Sequence, residues 1–230
     1  DPDDPNAQGL NRRHIRRGID RILDRLDTDY LDLLYIHRWD EATPARELMR
    51  TLDGLVADGT VNYLGTSTME PNAWRVAQAN EIAAREGYEP FTVAQPRYNL
   101  VDREVEGNYR DMCREYGIGM CPWSPLGWGF LTGKYERGQA TPDDSTAAED
   151  SRFEQRYLTD ENFDALDVLL AVADEVGATP AQVALAWLLE QETVTAPIIG
   201  ARTVDQLEEN LGAAEVSLSA EQVRRLDDAK

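Results

Sequence analysis

The sequence is poor in basic charge, and lysine is almost absent. It has 23 Lys and Arg residues against 43 Asp and Glu residues, and Lys134 and Lys230 are its only lysines. Nucleic acids bind to basic patches, and anionic membrane surfaces attract basic segments, so neither is an expected partner. The acids are distributed along predicted helices, which argues against a disordered acidic tail.

Long apolar runs and cysteine motifs are also missing. No stretch approaches the 18 or more apolar residues of a membrane-spanning helix, and no signal peptide is recognisable. Cys113 and Cys121 are the only cysteines, and they belong to no CxxC or His/Cys pattern. We therefore expect no disulfide framework and no metal site, but two buried thiols in a reducing compartment.

The excess of acidic residues also predicts the kind of environment in which the protein works. The formal net charge is −20, and in molar salt a Debye length of about 3 Å screens the resulting self-repulsion. We interpret the acidic, lysine-poor surface as that of a halophilic protein in the cytoplasm. The alternative is an ordinarily acidic mesophilic enzyme.

Amphipathic helices alternate with short apolar strands along most of the chain. Asn11 caps the first predicted helix, in which apolar residues recur at helical spacing. The later predicted helices are 45–58, 71–86, 103–116, 160–176, 180–191 and 203–213, and the predicted strands are 31–36, 61–65, 91–95, 118–122 and 196–199. This alternation indicates βαβ units and a parallel sheet. The polar segment 136–158 is predicted to be a long mobile loop.

Five strands with intervening helices indicate part of a closed barrel. A (β/α)8 TIM barrel takes about 250 residues, or roughly 30 for each βα unit. Residues 1–230 then supply about five of the eight units as a single domain, and we expect three more units before Asp1. The alternative is a doubly wound open sheet, which usually has a glycine-rich phosphate loop after an early strand. No G-x-G-x-x-G pattern occurs in the sequence.

Polar residues follow the predicted strands at their carboxyl ends, where parallel barrels hold their active sites. These ends are Ile36-His37-Arg38-Trp39, Gly65-Thr66-Ser67-Thr68, Gln95-Pro96-Arg97-Tyr98-Asn99, Pro122-Trp123-Ser124-Pro125-Leu126 and Ile199-Gly200-Ala201-Arg202. In this order, and with the runs Leu131-Thr132-Gly133-Lys134-Tyr135 and Gln206-Leu207-Glu208-Glu209-Asn210-Leu211, they resemble the aldo-keto reductases. The resemblance covers nearly the whole chain and is greatest to the aryl-alcohol-dehydrogenase-like branch.

The resemblance implies NADPH-dependent reduction of aldehydes or ketones to alcohols by hydride transfer, with a small carbonyl compound as substrate. It assigns His37 as the catalytic histidine, which hydrogen-bonds the substrate carbonyl. Without the resemblance, a histidine at a strand end is more often a packed polar residue. The family's catalytic Asp, Tyr and Lys belong to the first three βα units. We therefore expect them upstream of Asp1, and we expect this chain alone to be inactive.

The resemblance also assigns a binding site for NADP(H). Ser67, Thr68 and Gln95 would hold the nicotinamide carboxamide, although strand-end capping also explains each residue alone, and Thr68 stands where much of the family has Asn. Trp123 would stack on the nicotinamide ring, or else belong to the core. The remaining assigned residues would contact the phosphates and the adenine, and they are Ser124, Pro125, Leu126, Gly127, Lys134, Gly200, Arg202, Gln206, Glu209 and Asn210.

Two questions about this assignment remain open in the sequence. A guanidinium at Arg202 can fork onto a 2′-phosphate, which favours NADPH over NADH, but the helix after it is also compatible with an ordinary solvated face. The whole chain is also compatible with a non-catalytic NADPH-binding regulatory module, like the potassium-channel beta subunits that share the fold. His37 favours the enzyme, because a module that only binds has no need of it.

Overall fold

The computed structural model describes residue 4 and residues 7–67, 72–138 and 152–230. The helices in these ranges are α1 (Arg12–Leu26), α2 (Ala45–Ala57), α3 (Ala73–Glu86), α4 (Asn108–Glu115), α5 (Arg152–Tyr157), α6 (Asp160–Val176), α7 (Pro180–Leu189), α8 (Val204–Leu211) and α9 (Ala220–Asp227). The strands are β1 (Leu31–Ile36), β2 (Val61–Thr66), β3 (Phe91–Ala94) and β4 (Gly119–Met120). The α/β class predicted from the sequence is confirmed.

The strands form one sheet in the order β1-β2-β3-β4. Strands β1 and β2 are parallel, with Ile36 opposite Thr66, and β2 is parallel to β3, with Thr66 opposite Ala94. Gly65 permits the first of these pairings, because a Cβ atom there would lie 2.6 Å from the Tyr35 ring. Sequential parallel strands joined through helices are the arrangement of a partial (β/α)8 barrel.

Contacts within the chain divide it into two compact units. Unit 1 consists of Asp1–Pro96 and Glu106–Gly119, and unit 2 consists of Arg97–Val105 and Met120–Lys230. Unit 1 contains β1, β2 and β3 with α1 to α4, and its buried side chains include Leu48, Leu52, Leu64, Val76 and Phe91.

Asn80 joins helix and sheet in unit 1. Its amide oxygen accepts a hydrogen bond from the Phe91 N–H at 2.9 Å, and its amide nitrogen donates to the Phe91 carbonyl at 3.0 Å. Both hydrogen bonds are buried. Because buried polar groups are nearly always hydrogen-bonded, this pair fixes α3 against the first residue of β3.

Helix α7 is the most buried helix of unit 2. Residues 183–188 are all buried, and Trp187 donates from its ring nitrogen to Asp227 Oδ1 at 2.8 Å. The helix begins with a capping box, in which Thr179 and Gln182 each bind the other's backbone N–H. An apolar helix with such a start signal can be predicted from sequence alone, and its start at Pro180 is confirmed.

The predicted strand 196–199 is not a strand. The chain from 193 to 198 runs beside residues 120–122, and Thr195 and Ile198 donate backbone hydrogen bonds to Met120 and Pro122 at 2.8 Å. Pro122 and Pro197 have no N–H to donate, so a regular ladder cannot form along this stretch. The strand predicted at 118–122 is accordingly limited to β4.

Two other predicted elements differ in extent. The helix predicted over 103–116 begins only at Asn108, after a 3₁₀ turn over Glu104–Glu106 and Gly107. Within the predicted loop 136–158, residues 139–151 lie outside the described residues, and the end of the segment is helix α5. Phe153 and Tyr157 lie one helical turn apart in α5 and are both buried, and this apolar pair stabilises a helix in a polar segment.

Only one of the two thiols is fully buried. Cys113 is buried, and burial raises the pKa of its thiol to about 12, whereas Cys121 is half-buried.

In the described part of the chain, no single helix is long and apolar enough to cross a membrane. Helices α6 and α7 reach that length and composition only when taken together, and the chain bends by 96° between them.

Candidate functional site

The carboxyl edge of the sheet in unit 1 brings Ser67 and Gln95 together. Ser67 donates its N–H to the Ile36 carbonyl at 2.9 Å, and Gln95 donates its N–H to the Thr66 carbonyl at 2.8 Å. The Ser67 hydroxyl donates to the Gln95 carbonyl at 3.0 Å. This contact is the strand-end capping considered above, and it leaves the hydroxyl oxygen able to accept from a ligand.

His37 follows β1 directly at the same edge. Its ring is exposed, and the neighbouring Arg38 is exposed as well. The edge therefore presents an imidazole, a hydroxyl and the half-buried amide of Gln95 from three successive strands of unit 1. Thr68, the remaining residue predicted here, lies outside the described residues.

Unit 2 contains a cavity of about 690 Å³. All the cofactor-binding residues predicted in this unit line it, with the exception of Gly127. They are Trp123, Ser124, Pro125, Leu126, Lys134, Gly200, Arg202, Gln206, Glu209 and Asn210. The volume lies within the range of about 300–1,000 Å³ that is typical of small-molecule sites.

One wall of the cavity is a turn with left-handed backbone. Ser124 and Trp128 have φ angles of 54° and 53°, and the glycines on either side of Trp128 are also left-handed. Gly127 does not line the cavity because its Cα faces Tyr157, where an added Cβ would lie 3.1 Å from the ring. Within the turn, the N–H groups of Gly127 and Gly129 donate to the Ser124 and Leu126 carbonyls at 3.0 Å and 2.9 Å, so only the remaining N–H groups of the turn can bind an anion.

Two cations line the cavity in an otherwise acidic protein. An added Cβ on Gly129 would lie 3.3 Å from the Lys134 ammonium, so this side chain extends across the turn. No described carboxylate forms an ion pair with Lys134. Arg202 lines the same cavity and is exposed, and its backbone N–H donates to Gln206 Oε1 at 2.9 Å.

Helix α8 contributes the side-chain amides of Gln206 and Asn210 to the cavity, and the contacts of Gln206 differ from those predicted from the sequence. Gln206 was expected to face adenine, and its oxygen instead holds the loop before the helix through the Arg202 N–H, which leaves only its NH₂ group for a ligand. Asn210 is 8 % exposed and lines the cavity. Among the described residues, none hydrogen-bonds its side-chain amide.

Trp123 is half-buried, and the Arg97 guanidinium carbon lies 5.5 Å from its ring centroid. One ring face therefore carries a cation–π contact within unit 2, and a ligand can stack only on the remaining surface. Five other residues line the cavity although the sequence assigned them no contact with the cofactor, namely Trp128, Thr132, Ala181, Ile198 and Ile199. Three of these directly adjoin assigned residues or lie between them, and that proximity was the signal available.

Comparison with known proteins places this geometry in context. A sequence model described as "Aldo/keto reductase family" matches residues 1–230. Similar proteins include a "Probable voltage-gated potassium channel subunit beta" from Oryza sativa subsp. japonica, 37% identical over 92% of the chain, and a "Norsolorinic acid reductase" from Aspergillus flavus, 36% identical over 98%. The "Uncharacterized oxidoreductase YrpG" of Bacillus subtilis is 36% identical over 99%. The chain spans 65%, 55% and 68% of the lengths of these three relatives.

Proposed function

Because the chain belongs to the aldo/keto reductase family, we propose that it is the cofactor-binding part of an NADPH-dependent reductase that converts aldehydes or ketones to alcohols. The similarity to reductases supports carbonyl reduction by an oxidoreductase. The observation on which the proposal rests is the cavity of unit 2. There an ammonium that pairs with no carboxylate of the described residues, a guanidinium and a buried amide meet in a protein of net charge −20.

The residues of the cavity fit the parts of a dinucleotide phosphate. The left-handed turn and Lys134 offer N–H donors and positive charge to a pyrophosphate. Arg202 offers a planar fork that matches a 2′-phosphate, which NADPH has and NADH lacks. Asn210 offers both a donor and an acceptor to the edge of a base. When bound, NADPH supplies the hydride that reduces the carbonyl carbon.

We assign to His37 the contact with the substrate carbonyl oxygen. Its exposed ring follows β1 directly, and a ring N–H that donates to the oxygen both orients the carbonyl and makes its carbon more electrophilic. Ser67 and Gln95, from the ends of β2 and β3, are assigned to the nicotinamide carboxamide. Ser67 would accept there, since its hydroxyl proton is used on Gln95, and the Gln95 amide can both donate and accept.

A non-catalytic NADPH-binding module is the second candidate. It is favoured by the similarity to a protein named as a potassium channel subunit beta. The cavity of unit 2 would serve that function equally well. The two candidates differ at His37, whose side chain matters for turnover but not for a module that only binds the dinucleotide.

Binding and turnover measured on the full-length protein separate the candidates. We expect NADPH to bind more tightly than NADH in a fluorescence titration, and NADPH absorbance to fall when aldehydes or ketones are added. His37→Phe is expected to reduce turnover and to leave the NADPH Kd unchanged. Binding without turnover across a broad panel of carbonyl compounds would favour the regulatory module. Failure to bind either dinucleotide would refute both candidates.

A further inference from the structure

A buried carboxylate lies behind the cavity turn and does not line the cavity. Asp102 is 4 % exposed. Its Oδ2 accepts from the Tyr157 hydroxyl at 2.7 Å and from the Asn99 amide at 2.9 Å, and its Oδ1 accepts from Arg156 Nε at 2.7 Å. Hydrogen bonds to a charged acceptor are about twice as strong as neutral ones, so this carboxylate is a firm attachment point for three side chains.

The first connection from Asp102 to the turn runs through Asn99. Asn99 is fully buried, and its amide oxygen accepts from the backbone N–H groups of Val101 and Asp102 at 3.0 Å and 2.8 Å. Its amide nitrogen donates to Asp102 and also to the Ser124 carbonyl, in each case at 2.9 Å. With every donor and acceptor used, the amide has one orientation, and that orientation fixes the Ser124 carbonyl.

The second connection runs through Tyr157. Its hydroxyl is bound to Asp102, and its ring faces the Cα of Gly127 and lies 6.3 Å from the Trp128 ring, centroid to centroid. Burial, and secondarily the negative charge of Asp102, raise the pKa of Tyr157 well above its usual value, so the hydroxyl stays protonated and donates. The ring is therefore held in place under the second half of the turn.

Both connections end at the residues with strained backbone. A left-handed conformation at a residue other than glycine is costly, and it persists only where the surrounding structure imposes it. Ser124 is fixed by Asn99, and Trp128 lies against Tyr157. Within the described ranges, Asp102 is the one side chain hydrogen-bonded to the side chains of both Asn99 and Tyr157.

We propose that Asp102 is a positioning residue for the cavity turn 124–129, acting through Asn99 on one half of the turn and through Tyr157 on the other. It does not itself line the cavity. Its effect on dinucleotide binding rests on the proposed function, because the turn matters to the reaction only as a wall of that site. Its effect on the turn itself does not depend on any ligand.

A pair of tyrosines offers a matched test. Tyr157→Phe removes the hydroxyl bound to Asp102 and keeps the ring that packs on Phe130. Tyr135→Phe removes a hydroxyl from another ring stacked on Phe130, and that hydroxyl is buried with no hydrogen-bond partner among the residues that the structure describes. The two variants make the same chemical change in one aromatic cluster, and only the first acts on Asp102.

The first measurement is hydrogen–deuterium exchange by mass spectrometry on the ligand-free full-length protein. We expect the backbone amides of 124–129 to exchange about three- to tenfold faster in Tyr157→Phe and at the wild-type rate in Tyr135→Phe. The second is an NADPH titration, in which we expect Kd to rise about three- to tenfold in Tyr157→Phe only. A Tyr157→Phe protein with a lower Tm but wild-type exchange at the turn and wild-type Kd would overturn the proposal, because Asp102 would then contribute only stability.

The two measurements also separate this proposal from the proposed function. Faster exchange at the turn in Tyr157→Phe, together with a wild-type protein that binds no dinucleotide, would refute the proposed function and support the positioning role. Equal exchange in both variants would refute the positioning role, whatever the NADPH titration gives.

Discussion

Lys134→Met is the substitution that tests the cavity most directly. The change removes the ammonium that extends across Gly129 and keeps an unbranched apolar stem in its place. No described carboxylate pairs with Lys134, so its removal leaves no acidic partner uncompensated in the described part of the chain. We therefore expect the free energy of unfolding to change little and the effect to fall on ligand binding.

The size of the effect follows from the exposure of the side chain. A hydrogen bond to a charged group contributes about 1.5–3 kcal/mol when it is well sheltered from water. Lys134 lines the cavity and is exposed, so part of that contribution is lost to solvent screening. About 1–2 kcal/mol remains, which corresponds to a roughly five- to thirtyfold rise in the NADPH Kd.

The assay is a fluorescence titration of the full-length protein at two salt concentrations. The control is Lys230→Met, which removes the only other lysine and breaks an ion pair with Glu161 outside the cavity. The affinity for NADPH should weaken as salt rises in the wild type and in Lys230→Met. It should weaken less in Lys134→Met, which lacks the charge that salt screens. Equal NADPH affinities and equal salt slopes for the two variants would mean that Lys134 is not a phosphate ligand.

Two further predictions concern the other cation and the protein surface. Arg202→Ala should raise the NADPH Kd about tenfold to a hundredfold and the NADH Kd much less, because only NADPH carries the 2′-phosphate; equal weakening for both cofactors would remove Arg202 from that role. The Tm of the full-length protein should rise as salt goes from tens of millimolar to about 2 M, since the self-repulsion of a net charge of −20 acts over about 30 Å at 0.01 M and about 3 Å at 1 M. A Tm that stays flat or falls across circular dichroism melts in that salt series would contradict the halophilic interpretation.

Local chain signals made much of the fold predictable. Asn11 accepts from the third residue of its helix, and Gly87 has the left-handed backbone that ends α3. These signals depend on residues within one or two turns of each other, so the sequence displays them directly. The cavity was predictable for a different reason. Most of its residues lie in two stretches of sequence, 123–134 and 198–210, and the family resemblance could assign the runs within them one by one.

The features that could not be predicted depend on contacts distant in sequence. Helix α5 has few apolar residues, and its burial depends on Tyr157 reaching Asp102, which is 55 residues away. The side-chain oxygen of Gln206 accepts from the Arg202 N–H, so only its NH₂ group can contact a ligand. Sequence spacing alone does not distinguish these two uses of the side chain. Asp102 itself gave no sign of its function, because a single Asp after an Asx turn is common in loops.

The stretch where residues 193–198 run beside residues 120–122 has a mechanical consequence for the cavity. One wall continues from Pro122 into the turn, and the other continues from Ile198 toward Arg202 and α8, so both walls begin where the Ile198 N–H binds the Pro122 carbonyl. That hydrogen bond fixes their separation at this end, whereas no hydrogen bond among the described residues joins the turn 124–129 to α8 at the other end. A long ligand that binds from the fixed end outward loses little conformational freedom in its first contacts. Sequence differences in these walls among related proteins should then change the affinity for the outer part of the ligand more than the affinity for the inner part.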